Sequence, residues 1–121
     1  MDEIKSFKDL IVWQKSIKMT EDIYILTRQL PSEEAYGLVN QMRRAAVSIP
    51  SNIAEGQQRD SKKEFVRFLS MARGSNGELQ TQCYICVRLG YFNKEQVKPV
   101  MSLLSEISKM LNSLIKKLST E

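Results

Sequence analysis

Residues 94–120 read KEQVKPVMSLLSEISKMLNSLIKKLST. Val97, Val100, Leu104, Ile107, Leu111, Leu114 and Leu118 recur at alternating steps of three and four, a heptad seam held for three full repeats. That spacing lines the side chains along one stripe of an α-helix, which other helices must then cover. Asn93 with Gln96 forms a capping-box pattern at the start. Pro99, directly after Lys98, allows the helix to begin nearer Lys98.

Working back from this seam, the same period recurs three times between stop and start signals. Gly90 ends a segment that Ser61 opens, with Glu64 completing a second capping box. Its stripe is Phe65, Phe68, Leu69, Ala72, Leu79, Cys83 and Cys86. Before it, Ala35, Leu38, Met42, Ala45, Ile49 and Ile53 share a stripe, with Ser32 as cap, Glu33 and Glu34 in the first turn and Gly56 at the C-cap. Pro50 removes one backbone bond from this segment and predicts a kink there. The first segment runs from Phe7 to Leu30 and stops at Pro31-Ser32.

The spacing predicts helices over about 7–30, 33–56, 62–90 and 94–119 in one domain, 1–121. Connections this short make neighbours antiparallel. The expected fold is all-α: an up-down-up-down four-helix bundle with its second helix kinked at Pro50.

The first segment carries two apolar stripes. Leu10, Trp13, Ile17 and Tyr24 make one; Val12, Met19, Ile23, Leu26 and Leu30 make the other. Together they cover more of the helix than a typical surface helix buries. One stripe can face the core, and the second calls for another subunit or for a bundle that wraps the helix on two sides.

Bulk properties agree with a single soluble domain. The chain has 121 residues, 42% hydrophobic and 26% charged, with a formal charge of +4. The basic excess permits contact with nucleic acid or an anionic surface without demanding it. No apolar run reaches the roughly 20 residues that span a bilayer. Met1-Asp2-Glu3-Ile4-Lys5 lacks a signal-peptide layout, and two Cys fit a reducing compartment, so the expected location is the cytoplasm with no membrane partner.

The chain has no histidine, which removes the usual general base near neutral pH, the common zinc ligand and every His-based triad. Cys83-x-x-Cys86 has neither further ligands of matching type nor the strand-to-helix setting of a redox pair, and reads as core. Gly74-Ser75-Asn76-Gly77 lacks the Lys-Ser/Thr ending and preceding strand of a phosphate loop, and reads as a place where a neighbouring backbone comes close. No catalytic residue, metal site or cofactor is expected.

Two clusters remain. Gln41, Arg44, Ser48, Asn52 and Glu55 form a polar ladder beside the apolar stripe of the second helix, with Glu78 on the matching flank of the third. Such groups either bind something or register helices through hydrogen bonds. An Arg44–Glu78 pair is the specific expectation. Arg59, Lys62, Lys63 and Arg67, around the turn between the second and third helices, form a candidate nucleic-acid footprint with Arg43 and Arg73 as additions. No aromatics interleave with these cations. A homo-oligomer would multiply the patch.

Three stretches resemble one family. They are Phe7-x-Asp9-Leu10-x-x-Trp13-Gln14-Lys15, the run from Gln41 through Arg43-Arg44 and Ser48-Ile49-Pro50-Ser51-Asn52 to Glu55-Gly56, and Phe65-x-x-Phe68-Leu69-x-x-Ala72-x-Gly74-Ser75-x-x-Glu78-Leu79. The chain resembles the four-helix bundle proteins of large-subunit ribosomal RNA intervening sequences. The resemblance implies a bacterial cytoplasmic homopentamer without assigned catalytic residues. Genes of this family can lie inside insertions in ribosomal RNA genes, which implies a connection to RNA. A related branch, the accessory protein of diversity-generating retroelements, is more strongly basic than this chain. The expected function is therefore a non-enzymatic oligomeric bundle that binds RNA or other nucleic acid, or an oligomeric adaptor that binds another protein instead.

Overall fold

A computed structural model describes residues 6–120. Met1–Lys5, read above for the lack of a leader, and Glu121 lie outside the described residues. Among the described residues the chain forms α1 (Ile11–Thr27), α2 (Asn40–Gln57), α3 (Lys62–Arg88) and α4 (Lys94–Thr120), with no strand.

Cross-helix contacts fix the topology. Thr20 meets Ala46 and Tyr24 meets Arg43; Ser48 meets Ser75 and Met42 meets Cys86. Asn76 meets Leu104 and Arg73 meets Asn112; Lys15 meets Glu106 and Gln29 meets Gln96. In every pair, moving forward along one helix means moving backward along its partner. The helices therefore run up-down-up-down, each packed on the next, with α4 closing against α1.

The core is the sum of the predicted stripes. Met19, Ile23, Met42, Ile49, Ile53, Leu69, Leu79, Leu104, Ile107 and Leu111 are fully buried. Truncating one such residue to Ala costs about 2–5 kcal/mol. Both thiols lie in this cluster: burial pushes Cys83 up to about 12 and Cys86 up to about 11. They are core residues, protonated at neutral pH.

The helix ends depart from expectation in several places. The first predicted helix is broken: Phe7–Asp9 form a 3₁₀ turn capped reciprocally by Ser6 and Asp9, and Leu10 is extended before α1 begins. Ser32 is not a cap, because Pro31 holds that position and Ser32 opens a 3₁₀ turn. Glu34 does the capping instead, accepting from the Leu38 amide at 3.3 Å and from the Tyr91 hydroxyl at 2.8 Å.

α2 runs unbroken through Pro50, and the departure from helical geometry falls at Gly37 (φ −110°, ψ −108°). α4, by contrast, begins at Lys94 as its expected range and capping box have it, not at the later start that Pro99 allowed: Asn93 and Gln96 exchange hydrogen bonds of 2.9 Å each. Gly90 does end α3, at φ +81°, with the Tyr91 amide returning to the Cys86 carbonyl at 2.9 Å.

Two glycine readings change. Gly56 is a packing residue inside α2 rather than its C-cap: a Cβ there would sit 2.7 Å from Phe68 Cβ. Gly74 and Gly77 admit no neighbouring backbone, since nothing lies within 4 Å of a Cβ built at either.

The second stripe of α1 also finds most of its cover within the chain. Val12, Met19, Ile23, Leu26 and Leu30 are buried, and Leu10, Trp13, Ile17 and Tyr24 are half-buried. Trp13 meets the Phe7 ring edge-on at 5.2 Å, and the Arg43 guanidinium covers Tyr24. The bundle wraps this helix on two sides by itself.

Candidate nucleic-acid interface

The footprint around the α2–α3 turn is present but internally engaged. Arg59 donates to Glu55 at 2.6 Å, and Arg67 donates to Glu64 at 2.9 Å. Both guanidiniums lie over the Phe68 ring, 4.8 and 4.6 Å from its centre. The hydrogen bond to Arg67 holds the Glu64 carboxyl below its usual range, and the same bond raises Arg67. Ser61 caps α3 by accepting from the Glu64 amide at 3.1 Å, while the Glu64 carboxylate goes to Arg67. Lys62 and Lys63 are exposed at the start of α3, beside Leu118 and Ser119 of α4.

Arg43 is a clamp between helices. Its Nε donates to Thr27 Oγ1 at 3.0 Å, its Nη2 to the Tyr24 carbonyl at 3.3 Å, and its plane covers the Tyr24 ring at 4.6 Å. Removing it would strip cover from an aromatic as well as a charge.

The ladder on α2 divides into two parts. Ser48 and Ser75 hydroxyls lie 2.8 Å apart, and Asn52 donates to both the carbonyl and the hydroxyl of Ser48 at 2.9 Å. That part registers α2 on α3. Gln41 and Arg44 stand exposed. The expected Arg44–Glu78 pair is absent among the described residues: Glu78 is exposed and accepts only from Gln82, at 3.3 Å. Helical spacing brings the two to the same level on neighbouring helices, but both point outward past the seam.

The structure assembles a different cationic surface. Arg73 donates to Asn112 Oδ1 at 3.0 Å, which joins the outer edges of α3 and α4. Around Asn112, helical spacing places Lys98, Lys109 and Lys116 in one row, and all three are exposed. On α3 the same face carries Lys63, Arg73 and Tyr84, the last an aromatic 58% exposed.

Carboxylates are held away from the middle of this face. Glu64 and Glu78 lie on the side of α3 that Ser75 turns toward α2, and Glu106 is paired with Lys15 of α1 at 2.8 Å. Sequence reading missed the row because its lysines lie eleven and seven residues apart on a helix read only for its apolar seam. It also missed Tyr84, which helical spacing puts in line with Arg73, because the third helix was likewise read for its apolar stripe.

Between the start of α1 and the end of α4 lies an open groove of about 550 Å³, floored by Leu10, Val12, Met110 and Leu114 and bordered by Lys109 and Lys117. Among the described residues no three potential metal ligands converge, and no helix is long and apolar enough to cross a membrane.

Comparison with known proteins agrees with this architecture. No curated protein matches the chain. The crystal structure of a protein of unknown function from the S23 ribosomal protein family of Bacteroides thetaiotaomicron superposes with a TM-score of 0.82 at 29% identity. The match covers 88% of this chain and 99% of that one. The profile of the family described as 23S rRNA-intervening sequence protein matches residues 8–113. The chain therefore belongs to the 23S rRNA-intervening sequence protein family.

Proposed function

We propose that this protein is a non-enzymatic, cytoplasmic homo-oligomer that binds RNA across the outer face of α3 and α4. The resemblance to ribosomal RNA intervening-sequence proteins makes five the expected subunit number. The observation that carries the reading is the cationic band of Lys63, Arg73, Lys98, Lys109 and Lys116, clear of carboxylates along its middle and interrupted by exposed Tyr84. A row of lysines can neutralise phosphates along a nucleic-acid backbone, and a tyrosine among them offers one base a stacking platform. Arg59 and Arg67, tied to carboxylates and to Phe68, contribute less than their position in the sequence suggests.

The test is filter binding of a structured RNA at a series of salt concentrations. Wild-type affinity falls log-linearly with salt, and Lys109→Glu with Lys116→Glu lowers the slope magnitude by about two. Arg59→Glu has a smaller effect. Binding that ignores both reversals sinks the assignment to this face, and no binding at low salt sinks the RNA reading. The groove beside Leu10 and Met110 supports a second reading, an oligomeric adaptor for another protein, because its floor is apolar. RNA-free protein that captures an apolar helical peptide there would favour it.

A further inference from the structure

Besides Tyr84, three aliphatic or thioether side chains of α3 and its C-cap remain uncovered by the bundle: Met71, Ile85 and Leu89 are 46%, 39% and 58% exposed. With Glu78 they occupy positions 71, 78, 85 and 89, a second helical row beside the buried stripe. The row lies on the side of α3 that Ser75 turns toward α2. A heptad-spaced apolar row broken by a single charge is how one helix docks on another while selecting its partner, since the charge must meet its opposite. Across the seam, α2 exposes a matching edge: Arg44, Val47 (41% exposed) and Ser51, at steps of three and four. Arg44 and Glu78 have no ion-pair partner among the described residues, although they stand level on adjacent helices.

We propose that this surface is a contact between copies of the chain, in which the α2 edge of one copy packs on the α3 row of another and Arg44 pairs with Glu78 across the interface. The inference rests on the homo-oligomer reading above and names the surface that builds it. The occupant is a second copy because the face carries both halves of its own complement: a cation on one edge and an anion in the apolar row on the other. The contact leaves the α3–α4 cationic band open, so assembly and RNA binding use different faces of α3.

The experiment is a charge exchange followed by native mass spectrometry and sedimentation. Arg44→Glu alone and Glu78→Arg alone each weaken assembly by about tenfold or more. The combined exchange restores it, because the reversed charge on the α2 edge of one copy then meets the reversed charge in the α3 row of the next. Exchanged and wild-type chains mixed together form no hybrid oligomers, since every mixed contact sets like charges opposite; a pair closed within one chain would not affect mixing. Met71→Glu, which leaves both charges in place, also weakens assembly. If wild type is oligomeric but the single variants assemble normally, or exchanged and wild-type chains mix freely, this surface is wrong and the oligomer reading stands. If wild type is a monomer throughout the concentration range, both fall.

Discussion

The hydroxyl of Thr20 on α1 lies 3.2 Å from the carbonyl oxygen of Ala46 on α2, the carbonyl that Pro50 leaves without its helical donor. Proline at position 50 has no N–H to offer the residue four back. α2 nevertheless passes through Pro50 without a break, with the freed acceptor turned toward α1. Thr20 also lies 2.8 Å from the carbonyl of Ser16, so one proton serves two oxygens.

Thr20→Val keeps the shape and removes the donor, and is expected to cost about 1 kcal/mol in urea unfolding. Pro50→Ala restores the helical N–H to the Ala46 carbonyl. In that background Thr20→Val should cost less, with a coupling of about 0.5 kcal/mol or more in the double-mutant cycle. Additive losses would show that the hydroxyl does not compensate for the proline.

The glycines separate by neighbourhood. Gly56→Ala drives a methyl against Phe68 Cβ at 2.7 Å and should destabilise by about 1–3 kcal/mol. Gly77→Ala meets nothing within 4 Å on an exposed helix face and should stabilise by about 0.5–1 kcal/mol. Thermal melting of both variants checks the pair, and equal effects would contradict the packing described.

Alkaline pH should weaken the fold in two steps. The buried thiols release their protons near 9.0 when unfolded but only at about 12 (Cys83) and about 11 (Cys86) when folded. Folded protein then holds more protons than unfolded, so stability declines as pH rises above 9. Tyr91 adds the same sign from 10.0 upward, because its hydroxyl donates to Glu34 in the folded state. Urea midpoints measured from about pH 8 to about pH 11 should fall, and Tyr91→Phe should flatten only the portion above about pH 10. An unchanged slope in that variant would remove Tyr91 from the account.

Much of this protein could be read from spacing alone. The seam from Val97 to Leu111, the stripes through Met42 and Ile53 and through Leu69 and Cys83, and the stops at Gly90 and Pro31 depend only on neighbours along the chain. They determined four helices, their direction and most of the core. Local chemistry also located the capping of α4, since Asn93 and Gln96 need no distant partner. Where a distant group competes, the same logic failed. Ser32 gave way to Glu34 because Tyr91, far along the chain, holds that carboxylate in place, and Gly56 proved to be a packing position because Phe68 comes down upon it.

The candidate surfaces were decided by tertiary structure. Counting charges along the chain put the cations at the α2–α3 turn, but whether a cation is available depends on what folds beside it. Arg43 is spent on Tyr24 and Thr27, and Arg59 and Arg67 on carboxylates and a ring, whereas lysines scattered along α4 align beside Arg73. Periodicity records which side of a helix is apolar. Only packing in three dimensions sets which charges are neutralised, and which apolar rows remain for another chain.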